Sequence, residues 1–336
     1  MPAGAVLFYS TADTNHNTTA PTGSLTNSGW QYEGRWSYFL GTAIAPNFFI
    51  TAKHVGGSNE QEFILNGSTY HAIASFRDPN SDLCLWQVAE TFPAYAPLYT
   101  ATNEVGKHLV VFGRGTQRGD EVIVASESKG WKWGTGDSVK RWGENDVFAI
   151  TDEGAGLGEM IVATFDRGAA PNEAHLSVGD SGGAVFIQDG TTWKLAGINY
   201  SVSGSFSNAA NGTVFDAALF DMGGLYIGEG TSWTYITNQV DDIPSAFFST
   251  RISANCAWIY SVLQQITGLE RTGPDVRISF RSVPNAKHRI EYKNDLAASE
   301  WTNLTNNVAG TGGILSIVDS NAASLPQRFY RVGVVP

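Results

Sequence analysis

Short apolar runs bounded by polar turns recur along the first 250 residues, and they predict a chain built of β-strands. Between residues 30 and 105 such runs occupy residues 36–40, 48–51, 62–65 and 83–88. Strands at this spacing, with hairpin turns such as Asn66-Gly67, are typical of an antiparallel barrel. A second barrel is predicted from the similar runs at residues 109–113, 122–124, 159–165, 184–187 and 193–200.

One segment has a helical period instead. Its apolar residues are spaced by three or four positions, as on one face of an amphipathic helix: Ile252, Cys256, Ile259, Leu263 and Ile266. We predict a helix over about residues 252–267, ended by Gly268. Apart from this helix, the expected fold class is all-β.

A boundary is predicted near residue 270. Residues 268–275 contain Gly, Thr and Pro and are typical of a linker. The net charge is +3 from Arg271 onward and −14 before it. We therefore predict a main unit over residues 1–270 and a small β-sandwich-like domain over residues 275–336. So small a domain is expected to pack on the main unit, and the sequence leaves its partner open.

Composition excludes some function classes. The 336 residues carry a net charge of −11, which argues against nucleic acid as a partner. No apolar run reaches the roughly 20 residues that a membrane helix needs. Residues 1–5 lack the charged start and apolar stretch of a signal peptide. Two cysteines make no disulfide framework, and this suits a secreted or a cytosolic protein equally.

The stretch Gly179-Asp180-Ser181-Gly182-Gly183 predicts a tight turn that carries one hydroxyl. Glycines permit unusual backbone dihedrals and close approach of another chain. The serine is then held on an exposed corner. We expect the amides of Gly179 and Ser181 to converge on one point, as two donors for a developing oxyanion.

A candidate general base, His54, and a candidate acid, Asp82, each lie at the end of a predicted strand. His54 ends the second strand of a predicted hairpin whose turn is Pro46-Asn47. Asp82 opens an apolar strand, where a carboxylate is easily buried and then needs a partner. Neutral His54 is a suitable partner for it.

Gly179-Asp180-Ser181-Gly182-Gly183, Thr51-Ala52-Lys53-His54 and Asp82-Leu83-Cys84-Leu85 together resemble the trypsin/chymotrypsin-like serine proteases. The order is His, Asp, Ser, with gaps of 28 and 99 residues, and the short first gap is similar to that of compact bacterial members. The match covers roughly residues 30–267. It implies two six-stranded antiparallel barrels, at about residues 30–105 and 106–250, with the site between them and a closing helix.

The resemblance implies a secreted or cell-surface serine endopeptidase that acts on peptides or proteins without a metal or other cofactor. His54 would be the general base, Asp82 would orient it, and Ser181 would form an acyl-enzyme. Gly179 and Ser181 would supply the oxyanion hole. Two alternatives stay open: an esterase or acyl transferase with the same triad, and a non-catalytic surface-binding protein on a protease scaffold.

The specificity pocket also follows from the resemblance. The family places its floor six residues before the nucleophile, at His175, with Ser177 nearby. Asn199, Tyr200 and Ser201 would form the far wall. The floor lacks the Asp that selects Lys or Arg, so we expect an uncharged or small substrate side chain and leave an acidic one open.

Two further expectations concern partners of buried groups. The Ile-Val-Gly-Gly start of many trypsin-like enzymes is missing, so Asp180 needs a Lys, an Arg or backbone amides as its partner. The family's helix packs near the catalytic Asp, which would bring Cys84 and Cys256 close together. Two buried thiols are favoured there over a disulfide.

Overall fold

A computed structural model of the protein describes residues 6–154, 156–283 and 286–335. Within these ranges the chain forms 28 strands and one α-helix, so the predicted all-β class is confirmed. Four short 3₁₀ helices lie at Gly23–Leu25, Trp30–Tyr32, Lys53–Val55 and Ala322–Ser324. No helix in these ranges is long and apolar enough to cross a membrane. The prediction about a signal peptide in residues 1–5 lies outside the described residues.

The first half contains a closed barrel. The strands are β1 (Leu7–Phe8), β2 (Glu33–Trp36), β3 (Phe39–Ala45), β4 (Phe48–Ala52), β5 (Glu62–Leu65), β6 (Ser68–Arg77) and β7 (Leu83–Val88). Strands β2 to β7 close in the order β2-β3-β4-β7-β6-β5. Asn66 and Gly67 both have positive φ, 51° and 80°, as a two-residue hairpin between β5 and β6 requires. The first predicted barrel is therefore confirmed.

The second half is built on a seven-stranded sheet. Its strands and those that flank it are β8 (His108–Gly113), β9 (Thr116–Val124), β10 (Glu127–Gly136), β11 (Arg141–Asp146), β12 (Ala149–Asp152), β13 (Glu159–Thr164), β14 (Ala174–His175), β15 (Ala184–Asp189), β16 (Thr192–Val202), β17 (Phe206–Ser207), β18 (Val214–Phe215), β19 (Ala217–Leu219), β20 (Tyr226–Glu229), β21 (Ser232–Tyr235) and β22 (Ala246–Arg251). The order in the sheet is β11-β8-β15-β16-β22-β13-β12.

The second predicted barrel is seen only in part, as an open seven-stranded sheet. In the described residues its two edge strands, β11 and β12, form no backbone ladder with each other. The Asn145 side chain of β11 instead donates to the Thr164 carbonyl at the end of β13, at 2.7 Å. A side-chain amide thus bridges the sheet where a ladder would close a barrel.

Smaller sheets flank the second half. One has the order β19-β10-β9, another β18-β17-β20-β21, and β1 pairs with β14. In the last pair Leu7 lies opposite His175 and Phe8 opposite Ala174. The start of the described chain is therefore built into the second half of the fold.

The two halves share a core. Phe48 and Ile50 of the barrel, Phe112 and Phe186 of the sheet, and the helix pack in one apolar cluster. The helix, α1 (Ile252–Leu263), buries Ile252, Ile259, Val262 and Leu263. It lies in the predicted segment but ends at Leu263 rather than at Gly268, because Ile266 already starts a strand.

The C-terminal region consists of two three-stranded sheets. Its strands are β23 (Ile266–Thr272), β24 (Asp275–Arg281), β25 (Lys287–Lys293), β26 (Thr302–Ala309), β27 (Ile314–Asp319) and β28 (Phe329–Val335), in the orders β23-β24-β27 and β26-β25-β28. The predicted linker at residues 268–275 is wrong, because residues 266–272 pair with β24 in a hairpin that turns at Gly273 (φ 63°).

This C-terminal sheet pair packs on the first barrel. Val283 is only 4% exposed and belongs to the apolar cluster shared by the barrel, the seven-stranded sheet and α1. The Arg281 guanidinium donates to the Asn47 side chain at 2.5 Å and lies near the Phe48 ring. The expected packing of the small domain on the main unit is therefore observed.

Candidate active site

Strand pairing brings His54 and Asp82 together. His54 lies in the 3₁₀ turn that follows β4, and Asp82 immediately precedes β7. These two strands are antiparallel neighbours, with Ala52 opposite Leu83. The Asp82 carboxylate accepts the backbone N–H of His54 at 3.0 Å and approaches His54 Nδ1 at 2.6 Å. Antiparallel pairing thus places residues 28 positions apart side by side.

The hydrogen-bond chain continues across the two halves to Ser181. His54 Nε2 lies 2.8 Å from Ser181 Oγ. The His54 side chain is 41% exposed, whereas that of Asp82 is 4% exposed. The Tyr200 ring meets the His54 ring edge-on, with centroids 5.7 Å apart. The structure therefore brings all three predicted side chains into one continuous chain of hydrogen bonds at the surface.

The glycine-rich turn fixes the position of Ser181. Gly179 and Gly182 have φ angles of 95° and 76°, which L side chains rarely adopt. Gly182 also lies against the Thr51 hydroxyl and the Leu40 carbonyl, where a β-carbon would overlap both. Within the described residues, the amides of Gly179 and Ser181 donate to no protein acceptor. Both donors are therefore available to a ligand.

The buried Asp180 side chain stabilises this turn by accepting hydrogen bonds. One carboxylate oxygen accepts the N–H groups of Gly115 at 2.5 Å and Val6 at 3.3 Å. The other accepts the N–H and the hydroxyl of Ser177, at 2.8 and 3.1 Å. Burial raises the pKa of Asp180 to about 7, although these donors lower it. Of the three partners that the sequence left open, the structure uses backbone amides, together with one serine hydroxyl.

His175 does not lie in the pocket, which corrects the sequence prediction. Its ring is 1% exposed and packs edge-on against Phe165 and Phe247. Its nitrogens contact the Leu176 carbonyl at 2.7 Å and the Ser245 hydroxyl at 3.2 Å. Burial lowers the pKa of His175 to about 4, so the ring is neutral. The pairing of β14 with β1 turns this side chain into the core.

A cavity of about 270 Å³ opens beside Ser181. Four of the five residues predicted for the substrate pocket line this cavity: Ser177, Asn199, Tyr200 and Ser201. The Asn199 amide is fully engaged, because it donates to the Phe112 and Asp180 carbonyls and accepts from the Ser249 hydroxyl. Asn199 therefore holds the wall in place rather than offering free polar atoms to a ligand.

Sequence reasoning missed several parts of the site. The apolar lining comes from Trp133, Leu176, Val178 and Val202. Trp133 lies in β10, and nothing in the sequence spacing links this strand to the serine turn. The amides of Gly115 and Val6 were equally invisible, since backbone donors leave no trace in residue type.

The cysteines and the metal-ligating types of side chain add no second site in the part of the chain that the structure describes. Cys84 and Cys256 are both free thiols, the former buried, as favoured from the sequence, and burial raises the pKa of each to about 11. In the ranges that the structure covers, no group of three or more His, Cys, Asp or Glu side chains is arranged to hold a metal ion.

Comparisons with known proteins give structural likenesses only. No protein-family model and no curated protein matches the chain. Among solved structures, neuropsin, a serine protease from mouse brain, is 14% identical, covers 70% of this chain and 96% of its own, and has a TM-score of 0.40. Rv3671c from M. tuberculosis is 16% identical, with coverages of 74% and 98% and a TM-score of 0.39. The murine norovirus NS6 protease is 18% identical, with coverages of 57% and 98% and a TM-score of 0.32.

The architecture fits a trypsin-like fold. The chain's own features carry this statement: a closed six-stranded barrel, a second β half that bears the serine turn, and helix α1, which packs in the core shared by both halves. The site lies where the two halves meet.

Proposed function

We propose that this protein is a serine endopeptidase that hydrolyses peptide bonds through Ser181, His54 and Asp82. The observation that carries the proposal is the unbroken chain of hydrogen bonds from Asp82 through both nitrogens of His54 to the Ser181 hydroxyl. The nucleophile is an oxygen because residue 181 is a serine. The solved structures with partial likeness include a serine protease and a viral protease.

The proposed mechanism follows from the position of each proton. A serine hydroxyl is a weak nucleophile at neutral pH, and His54 Nε2 takes its proton as the oxygen attacks a peptide carbonyl. The Asp82 carboxylate accepts a hydrogen bond from the Nδ1–H of His54, which fixes the tautomer of His54 and stabilises the imidazolium. His54 then protonates the leaving amine, which departs and leaves an acyl group on Ser181. Water attacks the acyl-enzyme by the same route in reverse.

The free amides of Gly179 and Ser181 supply the second element of the proposal. They stabilise the oxyanion that forms when the carbonyl carbon becomes tetrahedral, and one such donor is typically worth about 3 kcal/mol. The positive φ of Gly179 and the four hydrogen bonds to Asp180 hold this turn before substrate arrives. Donors that are already oriented cost no reorganisation during the reaction.

A fluorophosphonate probe tests the proposal, because it reacts only with an activated serine. We expect labelling at Ser181, located by mass spectrometry, and cleavage of a mixed peptide library. Ser181→Ala should abolish labelling, and Asp82→Asn should lower kcat by about 10⁴-fold because His54 loses its tautomer. The matched control is His71→Ala, since His71 forms a similar pair with Glu90 at 2.7 Å but faces no serine.

Other outcomes would point elsewhere. Folded protein that neither labels nor cleaves peptides favours a non-catalytic binding protein. Labelling at Ser181 with hydrolysis of esters but not of peptides favours the esterase or acyl transferase. Loss of activity in His71→Ala equal to that in Asp82→Asn would contradict the assigned base.

A further inference from the structure

The geometry points to a preference for a large, uncharged, apolar side chain on the acyl side of the cleaved bond, and we infer that Trp133 and Val202 determine it. This inference rests on the proposed function and deepens it by naming the substrate class. Both residues line the cavity that opens beside Ser181. They come from β10 and from the end of β16, on strands that the serine turn does not belong to.

The size of the cavity favours a large side chain. Its volume is about 270 Å³, whereas a closed apolar cavity of about 150 Å³ already holds a benzene ring. An aromatic or long aliphatic side chain therefore fits. A methyl group would leave the lining of Trp133, Leu176 and Val202 uncovered, and Val178 is already 57% exposed at the rim. Covering such apolar surface is the main source of binding free energy.

The charge of the cavity excludes ionised side chains. Of its ten lining residues, only Asp180 belongs to a type that is ionised near neutral pH. Asp180 is 1% exposed, and its oxygens accept hydrogen bonds from Val6, Gly115 and Ser177. A substrate Lys or Arg would have to displace these donors. A substrate Asp or Glu would find no cation at all, and an unpaired buried charge is costly.

Two polar groups of the lining, the Asn199 amide and the Ser177 hydroxyl, are already hydrogen-bonded within the protein. Asn199 is engaged by two backbone carbonyls and by Ser249. The Ser177 hydroxyl donates to Asp180 and accepts the Thr116 N–H at 2.6 Å. His175, which the sequence placed at the floor, points into the core. The acidic preference that the sequence left open therefore has no cation to support it.

A panel of peptide amides tests the inference on the native protein. The peptides differ only in the residue before the cleaved bond, which is Phe, Leu, Ala, Lys or Glu. We expect kcat/KM for Phe and Leu to exceed that for Ala by about 10-fold or more, with Lys and Glu below Ala. Highest values for Lys, Glu or Ala would overturn the inference while leaving the proposed function intact.

Two variants test whether Val202 and Trp133 determine the substrate preference. Val202→Asp gives the cavity a carboxylate and should raise kcat/KM for Lys relative to Phe, whereas Val240→Asp, in a fully exposed loop, should not. Trp133→Ala should lower kcat/KM for Phe relative to Ala, whereas Trp233→Ala, outside the cavity, should leave the ratio unchanged. Ratios that move equally in variant and control would overturn the assignment.

Fluorophosphonate labelling of Ser181 distinguishes a failure of the pocket inference from a failure of the proposed function. Protein that labels and cleaves with the wrong preference refutes only the pocket inference. Protein that neither labels nor cleaves any panel member refutes the proposed function, and the inference falls with it. A variant that does not fold gives no label, and the other variant and the native panel then decide.

Discussion

At the scale of single residues, His175 shows that sequence spacing does not fix the direction of a side chain. Burial lowers its pKa from 6.5 to about 4. Between these values the unfolded chain holds a proton that the folded chain does not, so this group stabilises the fold above pH 6.5 and the contribution is lost as the pH falls towards 4. The full effect is on the order of 3 kcal/mol.

The prediction is that His175→Gln loses this pH dependence. The difference in free energy of unfolding between the native protein and the variant should shrink by on the order of 3 kcal/mol between pH 7 and pH 4, measured by urea unfolding. His71→Gln is the control of opposite sign, because Glu90 raises the pKa of the exposed His71. The substrate preference of His175→Gln should not change. A changed preference would mean that the His175 side chain contributes to the pocket after all.

A second residue-scale prediction concerns Gly182. A β-carbon there would overlap the Thr51 hydroxyl and the Leu40 carbonyl, and the φ of 76° is itself unfavourable for other residues. Gly182→Ala should therefore displace Ser181 and lower kcat by on the order of 10²-fold. Enzyme kinetics on one peptide substrate measures this.

Gly190→Ala is the matched control for that change. Gly190 also has positive φ, 61°, but nothing lies within 4 Å of the added carbon. It should cost only about 1 kcal/mol of stability and leave kcat unchanged. Equal losses of kcat in the two variants would mean that backbone strain, and not the contact with Thr51 and Leu40, decides the position of Ser181.

Residue types indicated which polar side chains meet at the site and four residues of the cavity lining, but not its apolar wall. His54, Asp82 and Ser181 each carry a functional group in a local context that can be read from sequence, and the structure joins them. Trp133 and Val202 are ordinary strand residues whose role depends on how sheets pack. The support of Asp180 by Gly115 and Val6 comes from main-chain amides, which every residue except proline offers.

At the scale of elements, local sequence patterns correctly predicted those features whose conformation is set by neighbouring residues. Asn66-Gly67 predicted a hairpin because two positive φ angles in a row favour Asn and Gly. The predicted end of α1 was wrong because Ile266, which continues the helical spacing, pairs with Phe280 in β24 instead. The open edge of the seven-stranded sheet was also out of reach, since local sequence patterns do not specify which strands pair with each other.

The element-scale prediction concerns helix α1. Ile259 is fully buried in the core shared by both halves, so Ile259→Ala should cost about 2–5 kcal/mol of stability through lost burial and a cavity. Ser261 lies on the exposed face, and Ser261→Ala should change stability by less than about 0.5 kcal/mol. Urea unfolding measures both. Equal values would contradict the burial of this face.

At the scale of the whole molecule, the first strand connects the start of the described chain with the site. Val6, Leu7 and Phe8 are buried, and the Val6 amide bonds to Asp180 beneath the serine turn. Deleting residues 1–8 should therefore lower both the free energy of unfolding and kcat, although His54, Asp82 and Ser181 are all retained. Kinetics and urea unfolding of the truncated protein measure the two effects.

Leu7→Ala is the control for that deletion. It removes buried apolar surface but keeps the Val6 amide, so it should lower stability without lowering kcat at temperatures where the protein stays folded. An equal fall in kcat would mean that packing alone, and not the bond to Asp180, supports the turn.

The arrangement of β1 and α1 also bears on how the protein is made. The barrel emerges from the ribosome first, but its apolar face is completed by α1, which is synthesised some 160 residues after β7 ends. The turn that carries Ser181 is bonded in turn, through Asp180, to the amide of Val6 next to β1. Since domains form as units while the nascent chain appears, we expect the growing polypeptide to contain His54, Asp82 and Ser181 well before the core that α1 completes can hold them in place.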